Sequence, residues 1–308
     1  MSVEALRSVE LRKTYHSRGA PPVEALCGVS MEVHRGERVA LLGRNGAGKT
    51  TFLKIASTLL RPSSGHVEVF GLDVTRTPER ARPYIAVVPQ EGKPFFHLTP
   101  REQIYTYLRA RGFGRETAKS RTDESLARMG LDGFADRLSI TLSGGQRQRT
   151  MVATVIATEA PLLFLDEPTI GMDPFARREV WASLRDLTQK GSTILLTTHY
   201  LDEAEVLSQR LYIVEGGAVL SSGTAEELKR SVGGTLKVLI VEGAPQVERF
   251  RAFGPCVTDG LSLTVIVNPG TLREVMEEVE RSEMTATVGP VTLEEAFLRA
   301  VGRSIDED

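Results

Sequence analysis

Cysteine is nearly missing from this sequence: Cys27 and Cys256 are the two in 308 residues, far apart and with no second pair of ligands beside them. That excludes a disulfide framework and a cysteine zinc site, and it suits a reducing cytosol. An excess of basic charge is missing too. Lys and Arg number 38 against 40 Asp and Glu, a formal net charge of -2 with the signs interleaved. Nucleic acid, which calls for a lopsided basic field, is not an expected partner. No apolar run approaches the roughly 18 residues that cross a bilayer, and the opening MSVEALRSVELRK lacks the apolar stretch of a signal peptide. The chain is expected to be soluble, with any membrane role reached through a partner.

What is present is ordinary in bulk and specific in pattern. At 41% hydrophobic and 25% charged, 308 residues suffice for a large domain with a smaller one. Strand-length apolar runs end at turn residues at 39–43 (VALLG), 162–168 (LLFLDEP), 192–199 (STILLTTH) and 210–217 (RLYIVEGG), with helical segments at 49–59, 176–189 and 200–208. This alternation predicts an α/β fold with a mostly parallel sheet. Residues 100–133 are rich in helix formers without a strand run and open a helical insertion reaching about 160. From 233 on, strand-like GGTLKVLIVEG and LSLTVIVN and amphipathic TLREVMEEVERSE and VTLEEAFLRAVG predict a small C-terminal α+β domain over 233–308, after a first domain over 1–232. Gly233–Gly234 is the expected hinge and 304–308 a frayed tail.

The stretch Gly43, Arg44, Asn45, Gly46, Ala47, Gly48, Lys49, Thr50 follows the pattern GxxxxGK[ST] between a strand and a helix. Its glycines let successive backbone N–H groups turn inward around phosphates, and the helix adds its positive end. Lys49 would pair with the β/γ-phosphates and the Thr50 hydroxyl would ligate Mg2+. A glycine-rich turn without a ligand is the bland alternative; the strand, lysine and threonine together oppose it. LLFLDEP supplies carboxylates at a strand end, Asp166 for the Mg2+ shell and Glu167 to orient or deprotonate a water, although Asp-Glu-Pro is also a common strand-ending turn. His199 ends the strand 192–199, and the ends of parallel strands line ligand crevices; His16, His34, His66 and His97 sit in polar or turn-like settings. Gln90, after IAVVP, is placed to reach a metal or water, or is simply a loop glutamine. A second glycine-centred helix start, LSGGQRQR at 142–149, raises a question of redundancy: why one chain carries two anion-binding helix starts.

In this order, GRNGAGKTT, VVPQE, LSGGQRQR, LLFLDEP, PTIGMDP and LLTTHYLDEAE resemble the nucleotide-binding subunit of ATP-binding cassette (ABC) transporters, over about residues 3–230. LSGGQ between a phosphate loop and LDEP separates this family from most other phosphate-loop proteins. The resemblance implies a phosphate-loop cassette that hydrolyses ATP with Mg2+: Lys49, Thr50 and Thr51 bind phosphate and metal, Gln90 senses Mg2+ and the attacking water, Asp166 supports the metal, and Glu167 is the general base. It also implies that His199 contacts the γ-phosphate and that Tyr15 stacks on adenine, where the residue by itself suggests packing. Cassettes of this family face each other head to tail, so Ser143, Gly144, Gly145 and Gln146 of one chain would close over the ATP of another. A helix start with exposed N–H groups at Ser143, Gly144 and Gly145 suits a γ-phosphate. The second cradle then belongs to a neighbour's ATP, and a homodimer, or a heterodimer with a related cassette, is implied.

Departures are modest: Met172 replaces the usual leucine of the Gly-Leu-Asp-Pro turn, and Thr154 stands where many members have arginine. TLEEAFLRAVG and VPQEGKPFFHLTPREQ are similar to the daunorubicin-resistance type of exporter ATPase, whose membrane subunits are separate polypeptides. That implies separate transmembrane permease subunits, a place on the cytoplasmic face of the cell membrane, and export of a drug-like, lipid or other hydrophobic substrate. A soluble cassette serving a nucleic-acid or translation task is the rival reading; the single cassette and the missing basic groove oppose it. A nucleotide-binding regulator that does not hydrolyse is opposed by Glu167.

Overall fold

The computed structural model describes residues 4–90 and 92–301, so the tail expected at 304–308 lies outside the described residues. The chain forms two compact units. One takes it through Gln209 together with Val214–Val219; the other takes Arg210–Ile213 and the chain from Leu220 on.

The first unit opens with two long antiparallel strands, β1 (Glu4–Tyr15) and β2 (Val23–His34). β3 (Arg38–Leu42) then runs through the glycine loop into α1 (Lys49–Ala56). β4 (Ser64–Val69) and β5 (Leu72–Asp73) complete an antiparallel sheet in the order β2-β1-β4-β5. A short α2 (Pro78–Ala81) precedes β6 (Ile85–Val88), and the helical insertion follows as α3 (Pro100–Ala110), α4 (Arg115–Arg128) and α5 (Gly144–Ile156). β7 (Leu162–Asp166), α6 (Pro174–Gln189), β8 (Thr193–Thr198) and α7 (Leu201–Leu207) come next.

Strands β3, β8, β7 and β6 lie side by side in that order, all parallel. Every residue of β7 and β8 is buried, as continuous apolar strands covered on both faces must be. The helices start where the sequence supplies caps. Thr99 and Glu102 form a capping box ahead of Pro100, and Asp173 accepts from the N–H groups of Phe175 and Ala176 ahead of Pro174. α1 ends at Ala56, short of the expected 59, because Thr58 turns left-handed (φ 67) and the N–H groups of Leu59 and Leu60 both return to Lys54 O.

β9 (Arg210–Glu215) and β10 (Ala218–Gly223), joined at Gly216–Gly217, carry the chain towards the second unit. There α8 (Ala225–Arg230) and β11 (Leu236–Ile240) are followed by α9 (Val247–Phe250), β12 (Cys256–Asp259), β13 (Ser262–Val267), α10 (Leu272–Arg281), β14 (Ala286–Pro290) and α11 (Leu293–Ala300). The sheet is antiparallel in the order β12-β13-β11-β14. Val238, Ile240, Leu263, Val265 and Val267 on one sheet face pack with Phe250 and with Val275 and Val279 of α10. The Lys237 ammonium reaches Glu295 at 2.6 Å, and the same carboxylate caps α11 at Thr292. The glycine pair expected as a hinge is packed into this unit instead: a Cβ on Gly234 would lie 2.7 Å from Val267 O, which accepts the Thr235 N–H.

An independent core has a measurable consequence. Phe250 is fully buried, so Phe250→Ala should cost the second unit about 3–5 kcal/mol. Thermal scans should show an early transition for that unit, while nucleotide affinity stays at the parent value. A concerted loss of both would contradict separate cores.

Candidate active site

The glycine loop takes its shape from places where no side chain fits. A Cβ on Gly43 would sit 2.2 Å from Val214 O, and one on Gly48 (φ 101) 2.5 Å from Ala25 O. Within the loop the Lys49 ammonium is buried and donates to the carbonyls of Gly43 (2.8 Å) and Arg44 (2.9 Å). Burial lowers its pKa, and the negative charges of Glu167, Asp166 and Glu215 work against that fall. A desolvated cation thus sits at the start of α1, where backbone N–H groups also point outward.

Asp166 ends β7 and is 1% exposed. Its Oδ1 accepts from Thr197 Oγ1 at 2.5 Å and lies 3.1 Å from Thr50 Oγ1, whereas Oδ2 is buried with no partner. Burial raises its pKa, and the hydrogen bonds from Thr197 and Thr50 pull the other way. Glu167, next in the chain, has a left-handed backbone (φ 50), its N–H held by Thr197 O (3.2 Å) and Thr197 Oγ1 (3.1 Å). Such a conformation in a non-glycine residue persists only where its surroundings fix it.

A chain of polar contacts links these groups. Thr50 Oγ1 is 3.2 Å from Gln90 Oε1, Gln90 Nε2 is 3.4 Å from Glu167 Oε2, and His199 Nδ1 is 3.1 Å from Glu167 Oε1. A cleft of about 320 Å³ lies over them, lined by Tyr15, Val23, Ala25, residues 45–51, Gln90 and Glu167. The Tyr15 ring is 39% exposed at the end of β1, with its hydroxyl 3.3 Å from Thr51 Oγ1 and Lys13 Nζ 5.3 Å from its centroid.

The donor set fits a hard divalent cation arriving with phosphates. Asp166 Oδ2 is an orphaned buried oxygen, and the Thr50 hydroxyl and Gln90 carbonyl stand beside its carboxylate. Among the described residues no group of three or more His, Cys, Asp or Glu side chains could hold a metal alone. Mg2+ keeps waters and substrate oxygens as ligands, so Thr50, Gln90 and Asp166 need not complete its shell.

Residues 143–146 do not line this cleft. Ser143 caps α5 by accepting from the Gln146 N–H, and Gln146 Oε1 takes the Ser143 N–H at 2.9 Å. The expectation of an exposed N–H at Ser143 is thereby corrected: the capping box uses it. The groups outside the helix's own ladder are the N–H groups of Gly144 and Gly145. Thr197 was not singled out from sequence, yet it serves both Asp166 and Glu167; its place opposite Asp166 in the β7–β8 register is what reveals it.

A parallel sheet ending in a phosphate-type loop, a buried lysine and two adjacent carboxylates defines a phosphate-loop nucleotide hydrolase. The family described as ABC transporter matches residues 26–170. The daunorubicin resistance ATP-binding protein DrrA3 of Streptomyces coeruleorubidus is 38% identical, covering 91% of this chain and 92% of its own. The daunorubicin/doxorubicin resistance ATP-binding protein DrrA of Streptomyces peucetius is 35% identical, covering 100% and 96%. Among solved structures, a dimeric ATP-binding cassette in a post-hydrolysis state with ADP and Pi superposes with a TM-score of 0.67 at 26% identity, over 71% of this chain and 98% of that one. The chain belongs to the ABC transporter family and is an ABC-type ATPase.

Asp166 offers a test of the buried charge. A folded-state pKa raised by burial makes a contribution to stability that is present below the unfolded carboxylate pKa and is lost as pH rises through the folded value. Asp166→Asn removes that cost. In metal-free buffer at neutral pH the variant should melt above the parent. A lower melting temperature would contradict it.

Proposed function

We propose that this chain is the ATP-hydrolysing subunit of an ABC exporter, working as a dimer in which each nucleotide lies between the phosphate loop of one subunit and the α5 start of the other. The observation carrying the proposal is the position of Glu167: at the strand end, between Gln90 and His199, beside Asp166 with its orphaned oxygen. ATP binding would turn Lys49 from the Gly43 and Arg44 carbonyls towards the β/γ-phosphates, with residues 43–51 supplying N–H groups and Tyr15 an adenine platform. Thr50, Asp166 and Gln90 would hold Mg2+, which when bound neutralises charge on the phosphates. Glu167 takes a proton from the attacking water, whose oxygen bonds to the γ-phosphorus as the bond to the ADP oxygen breaks. His199 and Lys49 stabilise the charge that develops on the γ-phosphoryl.

Several features support this reading of assembly. The α5 start offers Gly144 and Gly145 N–H groups away from the chain's own cleft, which leaves a neighbour's γ-phosphate as their anion. Among the described residues no helix is long and apolar enough to cross a membrane, so a membrane task would run through separate transmembrane permease subunits. Phe95, Phe96, Leu138 and Ile140 are exposed, and Phe96 and Ile140 are joined by the Ile140 N–H to Phe96 O bond. They lie between the Gln90 loop and the start of α5, a suitable seat for an apolar segment of such a partner on the cytoplasmic face. Likeness to the resistance proteins favours export of a drug-like, lipid or other hydrophobic substrate. In this reading residues 1–232 carry ATPase activity and 233–308 form an accessory domain for dimer contacts.

Glu167→Gln should keep ATP binding and lose turnover by orders of magnitude, whereas Lys49→Ala should weaken binding itself. Equal ATP affinity in the two variants, or parent-like turnover in Glu167→Gln, would contradict these roles. Mixing tests the shared site. Ser143→Arg and Lys49→Ala, each inactive alone, should regain ATPase activity together, because one site of the mixed dimer carries both lesions and the other neither. The two changes in one chain, mixed with parent, spoil both sites of every mixed dimer and should show no such gain. Failure of the separate variants to complement, despite demonstrated subunit exchange, would contradict a site shared between chains.

A further inference from the structure

Two buried polar side chains outside the nucleotide cleft converge on the segment that follows Glu167. Gln148, on α5, is 8% exposed and donates through Nε2 to Pro168 O at 3.2 Å. Glu203, on α7, is 1% exposed; its Oε1 accepts from Thr169 Oγ1 at 2.7 Å and from Trp181 Nε1 at 3.2 Å. Its Oε2 is buried without a partner. A buried carboxyl group needs partners that water would otherwise supply, and an apolar residue would fill such a place without them. The bonds it makes are therefore the part that an apolar residue cannot supply.

Those bonds hold the one stretch that Glu167 cannot fix by itself. Glu167 has a left-handed backbone pinned on its N-terminal side by Thr197. On its C-terminal side the chain turns immediately, with the Ile170 N–H returning to Glu167 O at 3.3 Å and the Met172 N–H to Thr169 O at 3.1 Å. Inside that turn Pro168 is held by Gln148 and Thr169 by Glu203. The same turn also touches α5 near its start: a Cβ on Gly145 would lie 3.3 Å from Gly171 O.

We infer that Gln148 and Glu203 are positioning residues that clamp Pro168 and Thr169 and so fix Glu167 in its hydrolytic position. The inference rests on the reading of Glu167 as general base. Because Gln148 sits one turn along from Ser143–Gly145, the clamp also ties one chain's base to the helix whose start faces the neighbour's nucleotide. Displacement of α5 is then felt at Glu167 through one amide and one carbonyl.

The test compares isosteric variants in steady-state ATPase assays on the full chain. Thr169→Val, which deletes the hydroxyl and keeps the volume, should lower kcat about ten- to a hundredfold with KM for ATP unchanged. Thr169→Ser should restore kcat. Gln148→Leu should lower kcat like Thr169→Val. Trp181→Phe removes the other donor to the same Glu203 oxygen without touching the turn, and should keep parent kcat. Parent turnover in Thr169→Val, or equal losses in Thr169→Val and Trp181→Phe, would overturn the clamp. Glu167→Gln in the same assay separates the two readings: an inactive Glu167→Gln beside a fully active Thr169→Val sinks the clamp alone, while an active Glu167→Gln sinks both.

Discussion

Two carboxylates at the end of a buried strand, facing a buried ammonium, set the terms for the rest of this structure. Asp166 and Glu167 stand where water is largely excluded, with Lys49 close enough for their charges to counter its desolvation. Burying charge costs several kcal/mol per ion unless it is matched. The protein meets the cost in part, with hydroxyls from Thr197 and Thr50 and carbonyls of the glycine loop, and leaves one Asp166 oxygen unmatched. An interior so arranged gains most when a polyanion and a cation enter together, which is how Mg·ATP presents itself.

The architecture follows from that need. Parallel strands β3, β7 and β8 bring the glycine loop, the two carboxylates and His199 to one sheet edge, since all three strands end there. The antiparallel β1–β2 sheet adds Tyr15 to the rim. Helix α5 places no residue in the lining of its own chain's cleft, and its capping box uses the Ser143 N–H while leaving the two glycine N–H groups at the helix start. In the function proposed above, this half-site serves an anion brought by another molecule.

The phosphate loop, Asp166 and Glu167 were legible in the sequence because their chemistry depends on spacing, and glycine spacing survives any tertiary context. The central strands were legible because strands buried on both faces are apolar without interruption. β1 was harder: its residues are half polar, its pairing with β2 slips register between Ser8 and Leu11, and Glu10 takes a left-handed turn (φ 46), so no clean alternation appears. The Gly233–Gly234 pair suggested a hinge, but small residues also mark close packing, and here a neighbouring strand occupies the space. Gln148 and Glu203 were not singled out from sequence, since burial of a single polar side chain leaves no periodic trace. The Ser143 N–H was assigned to phosphate because the competing cap, Gln146, lies within the same motif.

The central claim is that one chain holds two halves belonging to different sites. Turnover per chain, measured over protein concentrations that span the monomer–dimer equilibrium and paired with sedimentation at each concentration, tests it most directly. The account predicts that turnover per chain rises with concentration and saturates with the dimer fraction. Turnover that stays constant down to concentrations at which the chain sediments as a monomer would contradict it.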